Sequence, residues 1–345
     1  MAPTSNPSWQ MNAYGLENLA LHDGPMPVPG PQELLVRVRA VSLNYRDLLV
    51  AEGALQQVTE FPFVPASDAA GEVVRLGEHV SRHRVGDHVI SHFHTRWMDG
   101  DLPAEAHLHG DTLGAPLAGV LSRYVCLHED WVLPAPSGLS ARAAATLPIA
   151  ALTAWSALFE QGGLRPGETV LVQGTGGVSL FALQFAKAAG ARVIVTSSDD
   201  EKLRRACRLG ADDAINYTCH PDWHEEVLRI TDGHGADVNV ETVGGRNLRK
   251  SSAAAALNGR IALIGFLDGA DAAVDLPPVL LKRLRIAGET VGHRRSFERM
   301  LRGIVAAGIE PVIDSVLPFA EAPGAFDRLR RGPFGKVVID GPTEA

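Results

Sequence analysis

The segment 168–202 constrains the fold of this chain more than any other, because it reads as a strand, a glycine turn, a helix and a second strand. Gly174, Gly176 and Gly177 stand where the apolar strand at 170–172 must bend sharply into the helix. Such a turn lets backbone N–H groups approach a pyrophosphate at the positive end of a helix. The alternative is an ordinary turn between a strand and a helix. The second apolar strand favours a dinucleotide-binding unit.

The end of the second strand bears on which dinucleotide is used. NAD-dependent enzymes usually place Asp or Glu there, where the carboxylate binds the ribose hydroxyls. Ser197 occupies that position here, and Lys202 could supply a cation for a 2′-phosphate. Asp199 and Asp200 argue the other way, although acidic residues also favour the first turn of a helix. We therefore expect NADP, with NAD less favoured.

Composition narrows the class of protein. The 345 residues suggest about two domains, and 46% hydrophobic content is enough for a sizeable core. The formal net charge of −8, without a basic run, argues against a nucleic-acid partner. No apolar run is long enough to predict a membrane span, and the first residues lack the features of a signal peptide. Three cysteines without a Cys-x-x-Cys pair suggest a reduced, cytoplasmic protein.

The pattern of predicted secondary structure changes near 134–141. Before it, short strands at 30–41, 70–76, 85–91 and 122–127 predict a compact, mainly β domain, and the polar segment 92–118 is expected to be a long surface loop. After it, strands and helices alternate, which predicts a parallel sheet covered on both faces. We expect strands at 169–173, 192–196, 213–216, 237–241, 260–265 and 284–289, and helices at 176–189, 199–209, 222–231, 246–257 and 295–307. A last strand at 335–340 should return to the β domain.

Several segments together resemble the medium-chain dehydrogenase/reductase superfamily, and most closely its zinc-free quinone oxidoreductase-like branch. They are SLNYRDLL (42–49), DAAGEVV (68–74), VGDHV (85–89), ATLPIAALTAW (145–155), LGADDAINY (209–217), DVNVETVGG (237–245) and GKVVI (335–339). The resemblance implies an α/β fold, with a GroES-like β domain at 1–137 and 292–345 and a doubly wound Rossmann domain at 138–291. It also implies an active site in the cleft between the two domains.

The resemblance bears on zinc. In zinc-dependent members Cys, His and Cys hold the catalytic metal, and the matching segments put Asn44, Ser67 and Ile149 at those positions. Ile149 cannot bind zinc, and the other two are poor ligands. The segment 92–118 also lacks the four cysteines of a structural zinc loop. We therefore expect no metal.

Four histidines leave one alternative for a metal. They form two His-x-His pairs, which could bind a metal if they converged. In a polar loop, exposure to solvent is the preferred interpretation. These residues are His92, His94, His107 and His109.

Without zinc, the expected reaction is hydride transfer from NADPH to a quinone or an α,β-unsaturated carbonyl compound, which needs little activation. The family position makes Asn44 and Tyr45 the candidate catalytic residues, as donors of hydrogen bonds or of a proton; the alternative is a capped helix start. The resemblance and the glycine turn together suggest a set of cofactor contacts. They are Thr153, Gly174, Thr175, Gly176, Gly177, Val178, Ser197, Ser198, Lys202, Tyr217, Thr242, Val243, Gly265, Phe266 and Lys336.

Two other functions stay open. One is a medium-chain alcohol dehydrogenase that acts without zinc or with an atypical metal. The other is an NADPH-binding protein without turnover. Relatives commonly dimerise through edge strands of their Rossmann sheets, and 260–266 and 284–290 are apolar enough for this. We expect a homodimer; a covered edge is the alternative.

Overall fold

The computed structural model describes residues 5–106 and 110–342, which form two compact units. The first unit runs to Ile149 and takes up the chain again at His293–Val305 and from Glu310 onward. The second comprises Ala150–Gly292 and Ala306–Ile309. The chain therefore enters the second unit after Ile149, later than the expected boundary at 137. The reason is that the helix at Ala141–Ala145 packs on strands of the first unit.

Strands and helices follow one another along both units. The strands are β1 (Ser5–Met11), β2 (Leu19–Pro25), β3 (Glu33–Leu43), β4 (Asp68–Leu76), β5 (His88–Ser91), β6 (Tyr124–His128), β7 (Val132–Pro134), β8 (Thr169–Gln173), β9 (Arg192–Ser197), β10 (Asp213–Asn216), β11 (Ala236–Glu241), β12 (Ala255–Leu263), β13 (Arg285–Gly288), β14 (Ile313–Leu317) and β15 (Lys336–Asp340). The α-helices are α1 (Tyr45–Ala51), α2 (Ala141–Ala145), α3 (Leu152–Trp155), α4 (Gly177–Ala188), α5 (Asp200–Arg208), α6 (Trp223–Ile230), α7 (Asn247–Ala254), α8 (Leu276–Leu281), α9 (Arg294–Ala307) and α10 (Ala322–Arg330). None of these helices is long and apolar enough to cross a membrane.

The first unit is built on a mainly antiparallel sheet with the strand order β14-β15-β3-β4-β5-β7, and β6 also pairs with β3. Its apolar side chains, such as Val36, Val73 and Ile339, are buried in one core. Strand β15 pairs with β3, with Val338 opposite Ser42, which confirms the predicted return of the C-terminal strand to the β domain. The hairpin of β1 and β2 was not predicted.

The prediction that 92–118 is a surface loop holds for its middle, where most residues of 96–104 are exposed, and is wrong for 92–95 and 112–115, which are buried. Phe93, Leu113 and Ala115 are buried. The Arg46 guanidinium lies 4.9 Å from the centre of the Phe93 ring and donates to the Ala115 carbonyl at 2.6 Å. The stretches 92–95 and 112–115 are therefore packed into the first unit, where the half-buried Arg46 of α1 binds the backbone of 112–115.

The second unit carries the predicted parallel sheet, in the order β10-β9-β8-β11-β12-β13. The order reverses between β8 and β11, and open α/β sheets bind ligands at such a point, beyond the carboxyl ends of the strands. One predicted helix, 246–257, is too long. Helix α7 ends at Ala254 and β12 begins at the next residue, so the last three residues of the predicted helix belong to a strand. The doubly wound fold class is confirmed.

Candidate functional site

The glycine turn lies at the carboxyl end of β8 and leads directly into α4. Gly174 has φ +76°, a backbone conformation that L-residues with side chains rarely adopt, and its N–H donates to the Thr196 carbonyl at 2.8 Å. At Gly176 no atom lies near the place of a Cβ, so the backbone before α4 is open to a ligand. The predicted strand, turn and helix are confirmed, and Thr175, Gly177 and Val178 continue the turn into the helix.

A buried polar network lies behind this turn, and sequence analysis missed it. The Gln173 amide nitrogen donates to Glu241 Oε2 at 2.9 Å and to Asn239 Oδ1 at 3.0 Å. Glu241 is fully buried, and its Oε1 accepts the backbone N–H groups of Val243 and Gly244, both at 2.9 Å. A carboxylate at the end of the apolar strand at 236–241 was the available signal. Glu241 thus holds the loop that follows β11.

The loops after β11 and β12 approach each other closely. A Cβ on Gly265 would collide with the Thr242 carbonyl oxygen, so only glycine fits there. Thr242 Oγ1 donates to the Gln173 carbonyl at 2.9 Å. The structure therefore brings Thr242, Val243, Gly265 and the half-exposed Phe266 together at the carboxyl edge of the sheet. Thr153 is buried on α3, a helix that packs against α4.

The residues expected to choose between NAD and NADP lie at the ends of β9 and β10. Ser197 is buried, and its carbonyl accepts the Tyr217 N–H at 3.1 Å. Tyr217 is 44% exposed. Asp199 caps α5 by accepting the N–H groups of Glu201 at 2.8 Å and of Lys202 at 3.1 Å. The sequence left two roles open for the Asp199 carboxylate, an acid near the ribose pocket or an acid at the start of a helix. In the structure it caps the helix.

Asp200 was the second acidic residue in this region. Its Oδ1 accepts the Asn216 amide at 2.6 Å, across from α5 to β10. Ser198 lies between Ser197 and the cap, and is exposed. The two carboxylates that argued for NAD therefore both have hydrogen-bond donors from the protein itself.

In the first unit a buried polar cluster surrounds the start of α1. Asn44 precedes the helix and is 8% exposed, and its N–H donates to Asp47 Oδ2 at 2.8 Å. Ser67 donates to the other oxygen of Asp47 at 3.1 Å. Burial raises the pKa of Asp47, and these hydrogen bonds and the neighbouring Arg46 oppose the rise.

The side chain of Asn44 joins two buried charges. Its Oδ1 accepts from Lys336 Nζ at 2.5 Å, and its Nδ2 donates to Asp68 Oδ2 at 2.9 Å. Lys336 Nζ lies 4.0 Å from the same carboxylate, which also accepts the Ile149 N–H at 3.2 Å. Burial raises the pKa of Asp68 to about 7 and lowers the pKa of Lys336. Tyr45, by contrast, is 49% exposed.

The three positions matched to zinc ligands meet in this cluster, but they do not fit zinc. Ile149 offers no ligand atom in its side chain. The Asn44 amide oxygen is bound by the Lys336 ammonium, and Ser67 donates to Asp47. The Lys336 ammonium group therefore lies beside these positions, where it would repel a zinc ion.

Of the two histidine pairs, His107 and His109 lie outside the described residues. His92 and His94 are 0% and 6% exposed, so the expectation that they face solvent is wrong. Burial lowers the pKa of His92 to about 3. Over 5–106 and 110–342, no three His, Cys, Asp or Glu side chains are grouped so that they could hold a metal ion.

Two family models match the chain. The alcohol dehydrogenase GroES-like domain matches residues 30–137, and the zinc-binding dehydrogenase model matches residues 177–306. The first match lies in the first unit, and the second match lies almost wholly in the second unit.

Two curated relatives show matches over most of their own length. A zinc-type alcohol dehydrogenase-like protein of Schizosaccharomyces pombe is 40% identical over 316 residues, 90% of this chain and 91% of the relative. A quinone oxidoreductase-like protein 2 homolog of Nematostella vectensis is 30% identical over 329 residues, 90% of this chain and 82% of the relative. Both kinds of name thus occur among proteins that match along nearly the whole chain.

Solved structures share the same architecture. A putative alcohol dehydrogenase of Sinorhizobium meliloti 1021 superposes with a TM-score of 0.95 at 48% identity, covering 99% of this chain and 100% of the other. A structure described as an NAD-dependent alcohol dehydrogenase gives a TM-score of 0.86 at 35% identity, covering 97% of this chain and 99% of the other.

Proposed function

Because the chain belongs to the medium-chain dehydrogenase/reductase superfamily of nicotinamide-dependent oxidoreductases, we propose that it transfers hydride from NADPH to a quinone or an α,β-unsaturated carbonyl acceptor without zinc. The observation that carries the proposal is the cluster around Asn44. Where zinc-dependent relatives place metal ligands, this chain has an amide bound by an internal ammonium group.

The choice of acceptor follows from charge. A simple alcohol or aldehyde develops localised charge on one oxygen, and a metal usually stabilises it. A quinone or an enone spreads the accepted charge over a conjugated system, so hydrogen-bond donors are sufficient. Asn44 supplies an amide donor, and the half-exposed Tyr45 supplies a phenolic hydroxyl that can donate a hydrogen bond or a proton.

The cofactor proposal rests on the ends of β9 and β10. When bound, the reduced nicotinamide supplies the hydride. Asp199 is the cap of α5 and Asp200 binds Asn216, so both carboxylates are engaged by the protein. Tyr217 is exposed beside Ser197, and Lys202 lies in the first turn of α5. Ser197 stands where NAD-dependent enzymes usually place an acid, and the Lys202 cation follows it on α5. This pair suits a 2′-phosphate and favours NADPH over NADH.

Lys202→Ala tests the cofactor proposal. We expect the Kd for NADPH to rise about tenfold and the Kd for NADH to stay within about twofold, because only NADPH carries the 2′-phosphate. Fluorescence titration of both nucleotides measures this. Lys187→Ala is the matched control, since Lys187 pairs with Asp212 at 2.7 Å on the surface of the same unit. Equal weakening of both nucleotides would remove Lys202 from the phosphate site.

The function itself is tested by NADPH oxidation against a panel of quinones, enones, aldehydes and alcohols, with metal analysis of the same preparation. We expect turnover with quinones or enones and less than stoichiometric zinc. Activity confined to alcohols and aldehydes would favour the alternative, an alcohol dehydrogenase, which the names of the similar proteins support. NADPH binding without any turnover would sink the proposal.

We also propose a homodimer in the cytoplasm. Edge strand β13 is partly exposed, and the neighbouring α8 exposes Leu276, Leu280 and Leu281 by 67%, 70% and 78%. A second copy would cover these apolar side chains. The cytoplasmic location is supported by three cysteines that are all free thiols.

A further inference from the structure

We propose that Lys336 is a positioning residue, whose ammonium group holds the Asn44 amide in the orientation that presents its nitrogen as a hydrogen-bond donor. This inference rests on the proposed role of Asn44 and deepens it. It assigns Lys336 a task within the first unit, in addition to the cofactor contact suggested by the resemblance.

The placement of Lys336 follows from strand pairing. Lys336 is the first residue of β15, and Val337, next to it, lies opposite Leu43 at the end of β3. Asn44 directly follows Leu43, so the sheet brings two residues 292 positions apart into contact. Secondary structure fixes both backbones, because Lys336 belongs to β15 and Asn44 lies between β3 and α1.

The hydrogen bonds define the direction of the amide. An ammonium group can only donate, so the end of the Asn44 amide that faces Lys336 must be the oxygen. The Asp68 oxygen that faces the other end also accepts the Ile149 N–H, so that end of the amide must be the nitrogen. A flipped amide would set two donors against each other and two acceptors against each other. Lys336 and Asp68 therefore select one of two orientations.

One hydrogen of the Asn44 amide stays available. Nδ2 carries two hydrogens, and Asp68 Oδ2 accepts one of them. Among residues 5–106 and 110–342, Asp68 is the acceptor that this nitrogen has. The side chain is 8% exposed, which leaves it a small accessible surface. The remaining hydrogen is suited to an oxygen of the acceptor substrate.

A lysine suits this place because of the charge beside it. Lys336 is 3% exposed and Asp68 is fully buried, and an isolated buried charge would be costly. The Ile149 N–H, which donates to Asp68 Oδ2 at 3.2 Å, holds the carboxylate in place. The pair therefore keeps both charges in the core while it orients the neutral amide between them.

Hydrogen exchange of the Asn44 side-chain amide tests the proposal without any need for turnover. The protein is labelled with ¹⁵N-asparagine, and Asn44→Ala identifies the signal by its loss. In Lys336→Met we expect the exchange rate of this amide to rise about tenfold, because the bond that orients it is gone. Arg142→Met is the control: Arg142 pairs on the surface with Asp340 of the same strand at 2.7 Å, and we expect no change.

Lys336→Met leaves Asp68 without its cation and could unfold the unit. The double variant Lys336→Met/Asp68→Asn removes both charges together, and it still lacks the obligate donor. We expect the same increase in the exchange rate there. An exchange rate within about twofold of the wild type in whichever of these variants folds would overturn the proposal.

Kinetics provide the second readout. If the enzyme reduces quinones or enones, Lys336→Met should lower kcat about tenfold and leave the KM for NADPH within about threefold. Added to Asn44→Ala, it should lower kcat no further, because its effect passes through that amide. Additive losses would overturn the proposal. A wild type without turnover would reject the proposed function alone, while the exchange experiment still decides the role of Lys336.

Discussion

Asn44 and Tyr45 are adjacent in the sequence but have different environments. Asn44 is 8% exposed and bound at both ends of its amide, whereas Tyr45 is 49% exposed. The alternative of a capped helix start also holds for Asn44, since its N–H donates to Asp47. Asn44 thus caps the start of α1 through its backbone N–H, and its side chain binds the buried Lys336 and Asp68.

Replacing these two residues should have unequal effects. We expect Asn44→Ala to lower kcat about a hundredfold, because a donor to the developing oxyanion is lost, and Tyr45→Phe to lower it about tenfold. Steady-state kinetics with NADPH and the best acceptor measures both. Tyr14→Phe is the control, a tyrosine of the same unit whose hydroxyl donates to the Val58 carbonyl at 3.3 Å. Unchanged rates in both variants would remove the assignment.

His92 makes the stability of the protein depend on pH. The ring is fully buried, and neither nitrogen has a hydrogen-bond partner among the described residues. Burial lowers its pKa to about 3, whereas the unfolded chain takes up the proton near pH 6.5. The unfolded state therefore binds more protons between these values, and stability falls as the pH falls from about 6.5 toward 3.

His92→Phe should remove this part of the pH dependence. In the wild type we expect the free energy of unfolding to drop by about 2 kcal/mol from pH 7 to pH 5 on account of His92. The variant should lose about that much less, since its ring does not titrate. Urea unfolding at both pH values measures the difference. His79→Gln, at an exposed position, is the control. An equal drop in wild type and variant would contradict the assignment.

At the scale of elements, the loop after β11 is organised by a side chain of the strand before it. Glu241 is buried and accepts the N–H groups of Val243 and Gly244. Gln173, at the end of β8, donates to the same carboxylate at 2.9 Å. Two neighbouring strand ends are therefore tied together beneath the glycine turn.

Glu241→Gln should disturb this loop. An amide cannot accept all the hydrogen bonds of the carboxylate, so we expect the Kd for the nucleotide to rise about tenfold and the free energy of unfolding to fall by about 2 kcal/mol. Nucleotide titration and urea unfolding measure the two effects. Glu226→Gln is the control, because Glu226 pairs with Arg229 on the surface of α6. Unchanged nucleotide affinity would show that the loop takes no part in binding.

The elements differ in how far the sequence predicts them. Strands β8 and β10 have the expected bounds, and α4 differs from them by one residue at each end, because an apolar period and a glycine turn mark them locally. The two ends of the described part of 92–118 were misread. Residues 92–95 and 112–115 are buried, and Arg46 binds the carbonyl groups of Gly114 and Ala115; no local pattern reveals such a partner.

At the scale of the whole molecule, the chain passes from the first unit to the second and back. The return of β15 was predicted from its resemblance to the first domain, and the structure confirms it. The expected boundaries at 137 and 291 came from the change in predicted secondary structure near 134–141 and from the family resemblance. The compact units divide at Ile149 and Gly292 instead, since α2 packs on β3, β4 and β15.

The proposed homodimer is tested by removing its apolar contact. We expect the wild type to have twice its mass of 36.7 kDa by light scattering, and Leu280→Glu/Leu281→Glu to be a monomer, because charge at these exposed positions would be buried in the dimer. Val305→Glu is the control, at a residue that is 58% exposed elsewhere. A monomeric wild type, or a variant that remains a dimer, would contradict the proposal.

The sequence by itself determined the dinucleotide turn, the alternation of strands and helices, and the residues at the zinc positions. These depend on local period, on glycine at Gly174 and on residue type. Only the tertiary structure decided that Lys336 lies on Asn44, that Glu241 holds the loop after β11, and that His92 is buried. The reason is physical: these contacts join strands far apart in the chain, and burial and pairing are properties of the packed sheet.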